Sequence, residues 1–242
     1  MLRKTILGLG LALILTGCVT QERTTTGAGA AQPATQGQMV TANAQDERSK
    51  KLYLDLIGQL IAEGKLNAAL AHLDEYRLRV VGDPVADLMR ADVLARLGRL
   101  NEAAAAVAPF VRRERGGDNK AIQAKANKIA GRISAGRGKW GNAVVYFERS
   151  RSLTPSDPSI LNNLGFALAQ TGDYARAQQL LRQAMDLAPG SPQIRNNLIV
   201  AYYHGKKRKT AKAMFDQLGA VEKKAVAAMI KAWPDAPDLQ NL

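Results

Sequence analysis

The chain has one cysteine, Cys18, among 242 residues, so no disulfide can form within it and any folded part must be held by packing alone. Only two histidines are present, His72 and His204. Without a second cysteine they leave no ordinary nitrogen and sulfur ligand set for a zinc or redox centre. Aromatic residues make up 5% of the chain against 46% for all apolar types. An apolar content carried by alanine and leucine suits helices packed through small contacts better than a sheet core of branched and aromatic side chains. Acidic residues are scarce too, 21 against 34 basic ones, for a formal net charge of +13. That balance favours acidic partners: anionic lipid headgroups, acidic protein surfaces or nucleic acid. Catalytic groupings are also missing. Gly136-Arg137-Gly138 has no preceding strand and so cannot be a phosphate loop, and Asp55, Glu63, Glu75 and Asp87 are not paired for acid–base work. No enzyme activity is expected.

The amino terminus carries the most specific signal. Arg3 and Lys4 precede an apolar run from Ile6 to Leu15 that only Gly8 and Gly10 interrupt. The run is too short for a membrane-spanning helix, which takes ~20 residues, but it has the length and flanks of a secretory leader. It ends in Leu15-Thr16-Gly17-Cys18, which resembles the bacterial lipobox. The resemblance implies cleavage before Cys18 and an N-acyl diacylglycerol group on that cysteine, with no other cofactor. Three acyl chains, at roughly 0.8 kcal/mol per buried CH₂, would make attachment effectively permanent. Losing Arg3 and Lys4 with the leader would take the net charge from +13 to +11. Val19 stands where an aspartate would mark inner-membrane retention in many such lipoproteins, so the resemblance points to the outer membrane, facing the periplasm. There, nucleic acid drops out as a partner. Residues 19–48, rich in Thr, Gly, Ala and Gln, show no hydrophobic periodicity and read as a disordered leash. Roughly thirty flexible residues span about 30 Å.

From residue 50 onward the chain repeats itself. In the clearest unit, Pro158–Ser191, Leu161, Leu164 and Leu168 make one apolar stripe at helical period. Gly165 and Ala177 are small, Gly172 sits between two helices, and Pro189 closes the second. This pattern resembles the 34-residue tetratricopeptide repeat. The same frame fits Lys50–Asp83, Pro84–Gly117, Ala124–Asp157 and Pro192–Ala225, although Arg90 and Leu218 occupy positions meant for an apolar and a small residue. The turn glycines Gly64, Gly98, Gly138, Gly172 and Gly205 lie 34, 40, 34 and 33 residues apart. The long interval marks a six-residue insertion around Arg115-Gly116-Gly117-Asp118. Val221–Trp233 reads as a closing helix, with Val226, Met229, Ile230 and Trp233 on its apolar face. Trp140 and Tyr174, which share a turn position, read as structural. The expected architecture is all-α: a leader over residues 1–17, a lipidated linker over 18–48, and over 49–242 a solenoid of about five helix pairs with a C-terminal cap. Each pair has apolar faces that only its neighbours can bury.

In the tetratricopeptide family a concave groove is lined by fixed positions of each first helix. Carried onto this sequence, those positions are Lys125, Lys128 and Arg132 in the third unit, Asn162, Phe166 and Gln170 in the fourth, and Asn196, Tyr203 and His204 in the fifth. That lining of cations and amides with two exposed aromatics suits an extended peptide carrying acidic groups or a carboxy terminus. It departs from the family's known carboxylate-clamp pattern. A second candidate surface is the basic turn Lys206-Lys207-Arg208-Lys209 with Lys212. Its cations repel one another and favour an anionic neighbour, though a plainly solvated turn is an equal reading.

The run from Leu161 to Leu198 is similar to the TadD family of tight-adherence (Flp) pilus systems, and the similarity extends more weakly from about Lys50 to Ala220. It implies an outer-membrane lipoprotein acting as a pilotin, whose protein partner is a secretin or another pilus assembly component. A lipoprotein adaptor for a different envelope machine, serving type IV pilus secretins, outer-membrane protein assembly or peptidoglycan enzymes, is the alternative. An enzyme or a direct cell-wall binder is a third reading.

Overall fold

The computed structural model describes residues 36–112 and 119–233; Cys18, the leader and the first part of the expected linker lie outside the described residues. The chain divides into two compact units, residues 1–46 and 47–242. The described part of the first is the beginning of helix α1 (Gln36–Ala62). The second holds the rest of α1 and the helices α2 (Leu66–Arg79), α3 (Pro84–Arg96), α4 (Leu100–Arg112), α5 (Lys120–Gly136), α6 (Trp140–Leu153), α7 (Pro158–Gln170), α8 (Tyr174–Leu187), α9 (Pro192–His204), α10 (Arg208–Asp216) and α11 (Ala220–Lys231). No strand occurs among the described residues. The five pairs expected from the repeat frame are α1/α2 through α9/α10, with α11 as the closing helix.

Each element follows from local chemistry. Three first helices begin at proline in the first turn, where its missing N–H costs nothing, immediately after a capping side chain. Asp83 Oδ1 accepts from Val85 N and Ala86 N at 2.8 and 3.3 Å. Asp157 Oδ1 accepts from Ser159 N and Ile160 N at the same two distances, and Ser191 caps α9 through Ile194 N. Asp83 is a joint as well as a cap. Its other oxygen accepts a 2.8 Å hydrogen bond from the Tyr76 hydroxyl, and burial together with that bond pushes the Tyr76 pKa up to about 12.

The first expectation to be corrected is the linker boundary. Because α1 starts at Gln36, residues 36–48 are helical. Beyond Gly37 that segment has no glycine or proline to stop a helix, and Lys50 pairs with Glu47 one turn back at 2.9 Å. The residues named for the insertion, 115–118, lie outside the described residues, but the helix after them is described. Asn119 caps α5 through Ala121 N and Ile122 N, so α5 begins four residues ahead of the repeat frame and runs for 17 residues, against 13 for α3, α7 and α9. The first turn of α5 is therefore additional to the repeat frame.

The turns correct a second reading. Gly64, Gly98, Gly138 and Gly172 all have left-handed φ between 71° and 88°, but Gly205 does not, at −76°. In the last pair the left-handed residue is Lys206, with φ 63°. The hydrogen bonding confirms the register. Lys65, Arg99, Lys139, Asp173 and Lys207 each donate their N–H to the carbonyl five residues back, at 2.8–2.9 Å. The structural period is therefore 34 across the last turn too, and Gly205 is needed for another reason. A Cβ there would lie 2.3 Å from Gln178 Nε2 and 2.8 Å from Ala201 O. The Gln178 amide fills that space while donating to Ala201 O at 3.1 Å in a buried bond.

Inside the pairs, close approach is made by glycine. A Cβ on Gly131 would meet the Phe147 ring at 2.5 Å, and one on Gly165 would meet Leu181 Cγ at 2.7 Å. The buried core runs from Ile57 through Leu73, Leu94 and Ile129 on one side, and from Phe147 through Leu164, Leu181 and Leu198 to Trp233 on the other. Arg90, at a nominally apolar position, reaches Asp74 at 2.6 Å. Leu218 is not a bulky intruder into a helix pair, because α10 stops after nine residues and Leu218 is buried beyond its end. Trp140 packs on Phe166 of the next first helix and Tyr174 on His204 of the one after, so both are structural.

These turns give opposite expectations for adjacent residues. Lys206→Gly removes a left-handed side chain and is expected to raise stability by about 1 kcal/mol. Gly205→Ala forces a methyl into Gln178 and is expected to cost about 1–3 kcal/mol. Urea unfolding of the two variants checks this; an unchanged midpoint for Gly205→Ala would contradict the steric account.

Candidate protein-binding groove

Among the described residues, two of the clefts lie along the first helices. The first, of about 250 Å³, is walled by Gly58 and Ile61 of α1, Met89, Asp92 and Arg96 of α3, Lys125, Lys128, Ile129 and Arg132 of α5, and Ser159 of α7. The second, of about 520 Å³, lies among Asn162, Asn163 and Phe166 of α7, Gln193, Asn196 and Asn197 of α9, and Met229 of α11. First helices line up this way because each is returned by its partner to the same side of the stack.

The first cleft is cationic. Asp92 is shared by two guanidinium groups, Arg132 at 2.6 Å and Arg96 at 2.9 Å. Burial lowers the Arg132 pKa, while Asp92 acts to raise it and Arg96 lowers it further. Lys128 lies 3.4 Å from Asp157, the carboxylate that also caps α7. Lys125 is half-buried. Its pKa is depressed by burial first; Asp92 opposes that and Lys128 adds to it.

The second cleft is lined by amides. Asn197 Nδ2 donates to Asn162 Oδ1 at 2.9 Å, and both side chains are buried, at 6% and 4% exposure. They brace α7 against α9 instead of facing a ligand. Asn196 Oδ1 is buried with no hydrogen-bond partner among the described residues. It is an acceptor left for a donor from outside, such as a peptide N–H.

The aromatic part of the expected lining is different. Tyr203 is 2% exposed and belongs to the core, so it cannot be one of two exposed aromatics. Phe166 is half-buried, in edge contact with Trp140 at 5.7 Å and Trp233 at 5.8 Å. His204 stacks on Trp233 at 4.6 Å. Trp233, just past the end of the closing helix, thus adds its ring to the first-helix face, in contact with both Phe166 and His204. Gln170 is half-buried at the end of α7. Asp92 and Arg96 were missed as lining residues, yet they stand at the same repeat positions in the second unit as Arg132 and Gly136 do in the third, and the frame could have found them.

The basic turn is exposed. Lys207 lies 5.9 Å above the Tyr202 ring and Arg208 5.4 Å from that of Tyr203, while Lys212 reaches Asp216 at 3.6 Å. Of the acidic residues considered for catalysis, Asp87 holds Arg77, Glu75 holds Arg79 and Glu63 holds Lys65. No metal-binding group of acidic, histidine and cysteine side chains occurs among the described residues.

Known proteins resemble this chain in the same terms. Two tetratricopeptide-repeat family models match it, one over residues 88–158 and again over 130–192, the other over 168–233. The TPR repeat-containing protein PA4299 of Pseudomonas aeruginosa is 27% identical over 250 aligned residues, which cover 97% of this chain and 87% of that protein. Among solved structures, that of Pseudomonas aeruginosa pilF superposes with a TM-score of 0.55 at 14% identity, over 76% of this chain and 89% of that one. The structure of YrrB, described as a TPR protein with an unusual peptide-binding site, gives 0.50 at 18% identity, over 73% and 90%. At such identities the structures speak for the fold alone. The family models jointly span residues 88–233, more than half of the sequence, and the turns repeat through the remaining pair: the chain belongs to the tetratricopeptide-repeat family.

Proposed function

We propose that this repeat scaffold for protein–protein interaction is an outer-membrane lipoprotein, held by an acylated Cys18 and facing the periplasm, that acts as a pilotin-like factor in assembly of the Tad/Flp pilus secretin. The observation that carries the binding role is the cationic first cleft, open across α1, α3, α5 and α7 and lined by side chains from four helices. Charged groups there can form charge-assisted bonds to a partner's side chains, and the open acceptor on Asn196 can take a backbone N–H. A peptide-binding site is described for YrrB, whose fold this chain shares. The membrane and pilus parts of the reading rest on the Leu15-Thr16-Gly17-Cys18 motif and on the similarity of residues 161–198 to TadD proteins. A leader and linker ahead of the repeats would let the acyl chains stay in the membrane while the groove holds a secretin segment.

Three outcomes are expected. Radiolabelled palmitate should enter the parent protein and not Cys18→Ser; equal labelling of both would remove the anchor from the account. Deleting the gene should deplete secretin multimers from outer-membrane fractions, and unchanged multimers would redirect the scaffold to another envelope partner. For the groove, amides are the clean substitutions, because glutamates at 128 and 132 would face Asp157 and Asp92. Lys128→Gln with Arg132→Gln should weaken co-purification of the secretin about tenfold while far-ultraviolet dichroism stays unchanged. Full capture by that variant would discard the cleft as the binding surface.

A further inference from the structure

The charges of the first cleft are not evenly matched. Arg96 and Arg132 share Asp92, and Lys128 has Asp157. Lys125, on the same wall, has no carboxylate of the described residues within ion-pair distance. A half-buried ammonium without a counter-ion has lost part of its hydration and gained little in return. Burial and Lys128 both disfavour its charge, and only Asp92 and Asp83 act the other way from a distance. A carboxylate brought to Lys125 from outside would therefore be bound more strongly than one meeting a fully solvated lysine, because water screens the pair less there.

Placement adds selectivity. Asp92 is already held between two arginines, and Asp157 is committed to capping α7. Neither carboxylate is free to receive a cation, so a basic side chain entering the cleft would meet only repulsion. The second cleft, lined by amides, has no formal charge of its own with which to choose a partner's sign. Met229 also lines it, and Trp233 meets one of its lining rings, Phe166, at 5.8 Å. Selection by charge is thus confined to the cleft that contains Lys125.

We infer that Lys125 is the specificity-determining residue of the groove, taking an aspartate or glutamate side chain from an extended acidic segment of the partner laid across α3, α5 and α7. The inference rests on the protein-binding reading of this face and narrows it to one class of segment and one side chain. At about 250 Å³ the cleft has room for side chains.

The test uses the full chain in detergent and a fluorescein-labelled peptide of alternating alanine and glutamate, read by anisotropy, with alanine–glutamine and alanine–lysine peptides alongside. The glutamate peptide is expected to bind and the other two not. Lys125→Met should weaken binding about tenfold or more, and Lys125→Arg should restore most of it. A triple variant at the basic turn, Lys206→Gln with Lys207→Gln and Lys209→Gln, should bind like the parent. Failure of the glutamate peptide to bind, binding by Lys125→Met within twofold of the parent, or a loss confined to the basic-turn variant would each overturn the inference. If Lys125→Met binds normally while Lys128→Gln with Arg132→Gln does not, the inference falls and the groove survives. If neither matters, both fall.

Discussion

Each helix pair in this chain turns on a single left-handed residue whose successor returns its N–H to the carbonyl five residues back. That bond ends the first helix and sets where the second begins. Because it recurs at Gly64, Gly98, Gly138, Gly172 and Lys206, the first helices α3, α5, α7 and α9 come to lie side by side. Everything functional depends on that alignment. No single helix carries a site: Asp92 on α3 is completed by Arg132 on α5, Lys128 on α5 by Asp157 ahead of α7, and Asn162 on α7 by Asn197 on α9.

The same cross-links divide the first-helix face into two chemical zones. Between α1 and α7 the lining is cationic with its acids already committed. Between α7 and α11 it is amide and aromatic, with Trp233 packed on Phe166 and His204. The cap illustrates the general economy of a solenoid, in which the last apolar face must be covered by something other than another repeat. Here α11 supplies Val226 and Ile230, and Trp233 just past its end joins them, all buried.

Most of the fold was legible in the sequence because it rests on periodic, local signals: apolar stripes at helical spacing, proline at the first turn and glycine in the turns. Reading failed where one residue substituted for another's role. Lys206 takes the left-handed position, a place where glycine is the usual occupant, and Gly205 next to it serves a steric need instead. The glycine pattern therefore gave a spacing of 33 where the structural period is 34. The glycine spacing marked the insertion but not the cap at Asn119, which starts α5 one turn early. In the groove, family positions brought the cations of α5 together correctly as neighbours, but they could not tell that Tyr203 would be core or that Trp233 would lie on His204. Those facts arise from packing between elements distant in sequence. The partner's side of any contact is likewise not written in this chain.

The central claim, that the first-helix face holds a secretin segment at the membrane, is tested most directly by site-specific photo-crosslinking in living cells. A photoreactive amino acid at Ser159, exposed at the edge of the first cleft, is compared with one at Leu78, which is 84% exposed on the second-helix side. The expected result is a secretin adduct from position 159 and none from position 78. An adduct from position 78 alone, or none from either position, would contradict the account.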